Sequence, residues 1–266
     1  MRPARLALLV LACGCSFDMG ALRGIAGGPD GGPDAADDAA APDGPADAAD
    51  AQGDGAGSDV PLPPPFCDPS LPDLVACYRF ENDVKDGSYY GNDGIATAVT
   101  YGPGIAGLAV RTTSSSDISV SERASLDIGI AITMELWVRA AAFPNGSNRV
   151  GLVDNDAQYS LFLHANGEIR CAASGPWLVA PGAIVLHEWA HLACVYDGTE
   201  LRLYKDGTLI ASQLQTGPLT SSGTTGMSIG HNNPSGDPLD GALDGLRIWR
   251  VARKASDLCT LPGACG

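Results

Sequence analysis

The sequence predicts an all-β fold, a two-sheet antiparallel sandwich, in the C-terminal three-quarters of the chain, preceded by a disordered N-terminal linker. Three observations carry this. After Phe66 the sequence is a series of short alternating apolar runs separated by turn residues. No stretch carries the three-to-four-residue apolar spacing of a long amphipathic helix. Gly and Pro, 34 and 19 of 266 residues, make up about a fifth of the chain, as many turns or an unfolded stretch require.

The first twelve residues read as an export leader. Arg2 and Arg5 precede the apolar run Leu6 to Ala12, which is too short to span a bilayer. From Gly24 to Pro65 the composition is almost wholly Gly, Ala, Pro and Asp, with nine Asp and no Lys or Arg. Such a segment buries too little apolar surface to fold. Proline stiffens it and like charges extend it, so it reads as a spacer reaching on the order of 40–60 Å. The domain plan is therefore a leader over 1–12, an anchor segment and linker over 13–65, and one folded domain over 66–266. The formal charge of −15 argues against nucleic acid as a partner, which would call for a basic face.

Within the folded part, Ile132, Met134, Leu136 and Val138 alternate with Thr133, Glu135, Trp137 and Arg139, predicting a strand with two distinct faces. Tyr159 to His164 and Glu168 to Ala173 flank Asn166-Gly167, a pair suited to the positive φ angles of a type I′ hairpin. Leu201 to Lys205 and Thr208 to Ser212 flank Asp206-Gly207 in the same way. One short helical turn is expected near Lys254 to Leu258. Setting the leader region aside, six cysteines remain, Cys67, Cys77, Cys171, Cys194, Cys259 and Cys265, and an even number in an exported chain reads as disulfides. Sequence neighbours favour 67 with 77, 171 with 194 and 259 with 265. The competing arrangement joins Cys67 or Cys77 to Cys259 or Cys265.

His187-Glu188-Trp189-Ala190-His191 matches HExxH, whose zinc chemistry needs a helix to bring both imidazoles onto one face about 6 Å apart. On a strand the same spacing covers roughly 13 Å. Trp189, His191, Ala193 and Val195 alternate with Ala190, Leu192, Cys194 and Tyr196 up to the Asp197-Gly198 turn, so a strand is expected and zinc is not. No ExDxxE run, GxSxG elbow or phosphate-binding loop is present, and the chain reads as a binding or structural module rather than an enzyme. For contact with a ligand, the candidates are aromatics placed in loops: Trp177, between Gly175-Pro176 and Pro181-Gly182, and the pair Tyr89 and Tyr90.

Two resemblances add to this reading. Val10-Leu11-Ala12-Cys13 resembles the lipobox of bacterial lipoproteins, which implies a lipidated Cys13 as the mature first residue, with Cys15 as the second candidate. It implies anchoring at the cell envelope, at the outer membrane since no Asp follows either cysteine. The runs SLDIGIAITMELWVRA (125–140), QYSLFLHANGEIRCAA (158–173), EWAHLACVYDGTELRLYKDGTLIAS (188–212) and MSIGHNNPSGDPLDGALDGLRIWRVA (227–252) resemble successive strands of the laminin G-like, concanavalin A-like jelly roll. LVACYRFENDVKDGSYYGNDG (74–94) and GIAGLAVRT (104–112) are similar to its opening strands.

That resemblance implies two sheets of about six or seven strands, neighbouring chain ends, and Cys171 and Cys194 on close strands where their bridge would staple a sheet. The family's Trp-x-His-x-Ala strand accounts for Trp189, His191 and Ala193 without metal. The 86–94 loop resembles the family's early DxSGNxNxG-type loop, and 239–245 its closing G-x-I-D-D stretch. By resemblance, Asp86, Asn92 and Asp244 are candidate ligands of a structural calcium ion, with Gly245 standing where the motif has its second Asp. The expected partner is a glycan or an extracellular protein; the alternatives are a passive structural lipoprotein and a glycan-active hydrolase.

Overall fold

A computed structural model describes residues 66–146, 148–155, 158–221, 224–232 and 236–259. The leader, Cys13, Cys15, the linker over 13–65, and Cys265 lie outside the described residues. Fifteen strands follow one another: β1 (Leu74–Tyr78), β2 (Gly94–Thr97), β3 (Thr100–Pro103), β4 (Leu108–Thr112), β5 (Asp117–Val120), β6 (Ile132–Ala140), β7 (Arg149–Asn155) and β8 (Tyr159–His164). Next come β9 (Ile169–Ala173), β10 (Leu178–Ala180), β11 (Ala190–Tyr196), β12 (Glu200–Lys205), β13 (Thr208–Leu214), β14 (Met227–Ile229) and β15 (Gly241–Trp249). Two 3₁₀ turns, Ala165–Gly167 and Ala255–Asp257, are the described helical elements.

All described strand pairs are antiparallel. One sheet runs β13-β12-β11-β6-β15-β4-β3, and β1 joins it as an eighth strand. The second runs β10-β9-β8-β7-β14-β5-β2. The eighth strand exists because β15 is long: its first half pairs with β4 and its second half with β1, Tyr78 opposite Leu246 and Leu74 opposite Trp249. The chain's two described ends are thereby neighbours.

Alternate positions on both sheets supply the core. Met134, Leu136 and Val138 of β6, Leu192 and Tyr196 of β11, and Leu246 and Ile248 of β15 meet Leu161 and Leu163 of β8, Ile169 of β9, and Ile118 and Val120 of β5. Cys171 and Cys194 lie in the same core and are bonded to each other. Their strands β9 and β11 belong to different sheets, so the bridge clamps the sandwich rather than stapling one sheet. Cys67 is bonded to Cys77, which excludes pairing of either with the C-terminal cysteines. Cys259 is also disulfide-bonded.

The turns follow the residues that make them. Asp206 (φ 48) and Gly207 (φ 77) form the two-residue loop between β12 and β13. Asn166 (φ 59) and Gly167 (φ 73) take the expected positive angles, but Ala165 joins them and the connection is a 3₁₀ turn rather than a two-residue hairpin. The β6 expectation needs a larger correction. Thr133, Glu135 and Trp137 are buried along with the core face, because the outer side of the eight-stranded sheet is covered at these positions. Phe66 and Cys67 pack with Leu74, Cys77 and Trp249, while Ala252 and Leu258 pack on Ala193, Val195 and Tyr204.

Candidate functional site

Trp177 precedes β10, at one edge of the seven-stranded sheet. Direct register partners Gly151, Phe162, Arg170 and Val179 form a row across β7, β8, β9 and β10. Their face is the outer one, since Leu161, Leu163, Ile169 and Cys171, which alternate with them, belong to the core. Phe162 is covered on that face by two groups. The Trp177 ring stands edge-on at 5.4 Å between centroids, and the Arg149 guanidinium lies 4.2 Å from the Phe162 centroid and 5.7 Å from that of Trp177. Arg149 is held from behind by Asn232, whose Oδ1 accepts from Nη2 at 3.2 Å.

The loop carrying Trp177 is fastened at several points. Ser174 Oγ donates to the Gln158 carbonyl at 3.1 Å, and Gln213 Nε2 donates to the Pro176 carbonyl at 2.9 Å. A Cβ on Gly175 would meet the Gln215 amide at 2.6 Å, so only glycine lets that side chain lie against the turn. Trp177 thus presents a ring that is 36% exposed on a fixed loop, next to exposed Val179. Polar groups stand on the same outer face: Arg170, opposite both Val179 and Phe162, pairs with Glu168 at 2.6 Å, and His164 follows Phe162 two residues along β8. Burial, then the nearby Arg170 and Arg149 charges, push the His164 pKa below its ordinary value against the pull of Glu168, which favours the neutral ring.

Tyr89 and Tyr90 do not join this platform. They lie in the connection to β2, the opposite edge of the same sheet. Tyr90 is a strut, its hydroxyl donating to the Pro72 carbonyl at 2.8 Å and its ring under the Arg250 guanidinium at 4.8 Å. Tyr89, 76% exposed, packs edge-on against Tyr90 at 5.5 Å.

The three candidate calcium ligands are committed elsewhere. Asp86 Oδ1 accepts from the Cys77 and Ser88 amides, both at 2.8 Å, and Oδ2 accepts from Ser88 Oγ and the Asn92 amide, both at 2.7 Å. Four donors fill the acceptor sites of one carboxylate. The Asn92 side chain donates to the Val75 carbonyl at 2.7 Å and accepts from Ser125 at 2.9 Å. Asp244 instead closes the β3–β4 turn, its Oδ2 accepting from the Ile105 and Ala106 amides at 2.8 and 3.3 Å. Burial raises its pKa to about 6, the backbone donors pulling the other way.

Gly245 has φ 55 and forms a bulge in β15, and a Cβ there would stand 3.1 Å from the Phe66 ring. The position that carries the motif's second Asp is therefore filled by packing. This donor set does not fit a calcium ion, and no group of three or more His, Cys, Asp or Glu that could hold a metal occurs among the described residues.

The HExxH residues separate in the same way. His187 sits in a turn with φ 65, before β11 begins at Ala190, while His191 points to the outer face of β11. There its Nε2 lies 3.3 Å from Oε2 of Glu135. Glu135, fully buried, also accepts from Arg247 Nη2 and Trp249 Nε1, both at 3.0 Å. Burial alone would raise its pKa; the His191 hydrogen bond, the Arg247 charge and Trp249 outweigh it and hold the carboxylate down to about 2. The sequence showed Glu135 as an isolated acid on its strand.

No curated protein matches the chain. Solved structures share its fold. Domain 4 of AbnA, a GH43 extracellular arabinanase from Geobacillus stearothermophilus solved in complex with arabinotriose, aligns with a TM-score of 0.57 at 22% identity, over 69% of this chain and 95% of that one. The binding domain of Paraclostridial Mosquitocidal Protein 1 aligns with a TM-score of 0.59 at 17% identity, covering 70% of this chain and 50% of that one. The binding domain of Botulinum Neurotoxin DC in complex with SialylT aligns with a TM-score of 0.55 at 11% identity, covering 70% and 49%. The chain thus spans about half the length of these two binding domains. The family model Laminin_G_3 matches residues 112–259, more than half of the sequence, and the chain belongs to the concanavalin A-like lectin/glucanases superfamily.

Proposed function

We propose that this protein is a non-enzymatic glycan-binding module displayed at the bacterial envelope, and that the outer face around Trp177 takes a sugar ring. The observation that carries this reading is the fixed, part-exposed indole beside polar side chains that can hydrogen-bond hydroxyls. An apolar ring face stacks on an aromatic plane, and fastening that plane beforehand lowers the cost of ordering it. The reading also agrees with the arabinotriose and SialylT complexes of the structural neighbours. The acids that a hydrolase would call on, Glu135 and Asp244, are engaged by Arg247, His191 and Trp249 in one case and by backbone amides in the other.

Titration of the protein with arabinotriose, followed by calorimetry, tests the site. Trp177→Ala should weaken binding at least about tenfold, roughly 1.4 kcal/mol. Equal affinity in the two proteins would remove Trp177 from the site. Display rests on the leader sequence, and labelled palmitate reads it out: incorporation should vanish in Cys13→Ser and persist in Cys15→Ser. The opposite pattern would move the anchor to Cys15, and label in both variants would reject a thiol-borne lipid at either position alone.

A further inference from the structure

The dipeptide Asn-Gly occurs twice in the sequence, at Asn145-Gly146 and at Asn166-Gly167, and the fold treats the two differently. Both asparagines are exposed, so access to water does not separate them. What separates them is the freedom of the following nitrogen to reach the asparagine side chain.

Asn166-Gly167 is locked. Asn166 has φ 59 and ψ 24, which sets the Gly167 nitrogen on the far side of the Cα–C bond from Cβ, away from the side-chain amide. The turn is tied across by the His164 amide donating to the Glu168 carbonyl at 2.8 Å and the Glu168 amide donating to the Ala165 carbonyl at 3.3 Å. Gly167 is buried, its carbonyl accepts from the Ile184 amide at 3.0 Å, and a Cβ there would collide with the Ile184 carbonyl. Rotating the chain at Asn166 would break this clasp.

Asn145-Gly146 lies in the connection between β6 and β7, where the chain passes from one sheet to the other. The Asn148 amide donates to the Asn145 carbonyl at 3.1 Å, a single bond across an open turn. Gly146 is exposed with φ 61, and a Cβ there would meet nothing within 4 Å. No side chain shields its nitrogen, and nothing packs on the turn to resist a change of ψ at Asn145.

We propose that Asn145 is a site of spontaneous covalent modification, its amide passing through a cyclic imide to isoaspartate and aspartate, while the fold spares Asn166. The Gly146 nitrogen gives up its proton and attacks Cγ of Asn145; the new N–Cγ bond closes a five-membered ring, the Cγ–Nδ2 bond breaks, and ammonia leaves with the proton. Water then opens the ring. Attack at the main-chain carbonyl gives isoaspartate, and attack at Cγ gives aspartate. No oxidant, cofactor or enzyme enters the balance. Each conversion puts a carboxylate in place of a neutral amide on a chain whose formal charge is already −15. The isoaspartate product also adds a methylene to the main chain four residues before Arg149.

The test holds the full-length protein in mildly alkaline buffer at physiological temperature, digests timed samples at acid pH, and maps the peptides by mass spectrometry. Peptides containing Asn145 should gain one mass unit and split into two products, of which one is a substrate for protein isoaspartate methyltransferase. In the folded protein, conversion should be at least about tenfold faster at Asn145 than at Asn166. In guanidinium chloride, where only the local sequence acts, the two sites should convert at comparable rates. Gly146→Ala should slow the reaction at Asn145 at least about tenfold, because the added methyl shields the nitrogen, and leave Asn166 unchanged. Equal conversion of the two sites in the folded protein, an Asn145 that stays intact there, or an unchanged rate in Gly146→Ala would each overturn the assignment. If Asn166 resists equally in the unfolded chain, its protection belongs to the neighbouring residues and the role given to the fold is rejected.

Discussion

Arg247→Met should cost about 3–5 kcal/mol of stability, because it strips the cation from a fully buried carboxylate. For a domain of this size that is a fall of roughly 6–20 °C in Tm. Part of the loss is packing, since the Arg247 guanidinium also lies 4.3 Å from the Phe66 ring centroid. A second substitution separates the two contributions. Glu135→Met added to Arg247→Met removes the stranded charge, so the double variant should be more stable than Arg247→Met alone. Additive losses would show that Glu135 contributes little through its charge. The acid limb gives an independent reading. The folded pKa of Glu135 is about 2 and the ordinary value is 4.5, so its contribution is present above about pH 4.5 and is lost as pH falls toward 2. The double variant should lack that component of acid unfolding.

Cys171→Ala with Cys194→Ala should cost about 3 kcal/mol or more, read as a lower urea midpoint. Opening the bridge frees a loop with a sequence separation of 23 residues in the unfolded chain, worth on its own about 3 kcal/mol in the chain-entropy account. Both cysteines are fully buried, so the variant also leaves less well-filled space between β9 and β11. These strands belong to different sheets, and the bridge is a covalent link across the sandwich. A loss under about 1 kcal/mol would mean that apolar packing alone fixes the spacing of the two sheets.

Which parts were legible beforehand depends on how local the causes are. The Asp206-Gly207 turn, the β6 strand and the short helical turn at Ala255–Asp257 each follow from a few adjacent residues, and each is present. Trp177 was legible as a loop aromatic, but Phe162 and Arg149, which hold its ring, come from β8 and β7 and meet it only through register. Glu135 is the clearest case. Its strand pattern placed it opposite the core face, where solvent exposure is the ordinary expectation. It is buried because β11 and β15 bring His191 and Arg247 alongside β6 and because the ends of the domain cover that face. The same neighbourhood explains the second histidine of HExxH, whose partner lies 56 residues earlier in the chain.

The Cys67–Cys77 bridge also sets how tension enters the domain. A pull applied at Phe66 passes through the sulfur atoms directly into Cys77 of β1, and residues 68–76 carry none of it. The load then falls on the ladder between β1 and β15, where Cys77 lies opposite Arg247. β15 is also bonded to β6 from Gly241 to Trp249 and to β4 over Gly241 to Leu243, so the force is spread into the middle of the eight-stranded sheet rather than peeling a free edge. With the bridge reduced, the chain from Cys67 to Cys77 could extend from 5.7 Å to about 33–36 Å, a gain of about 27–30 Å. In its oxidised form the domain is mechanically short at this end, with its first point of resistance one residue beyond Phe66.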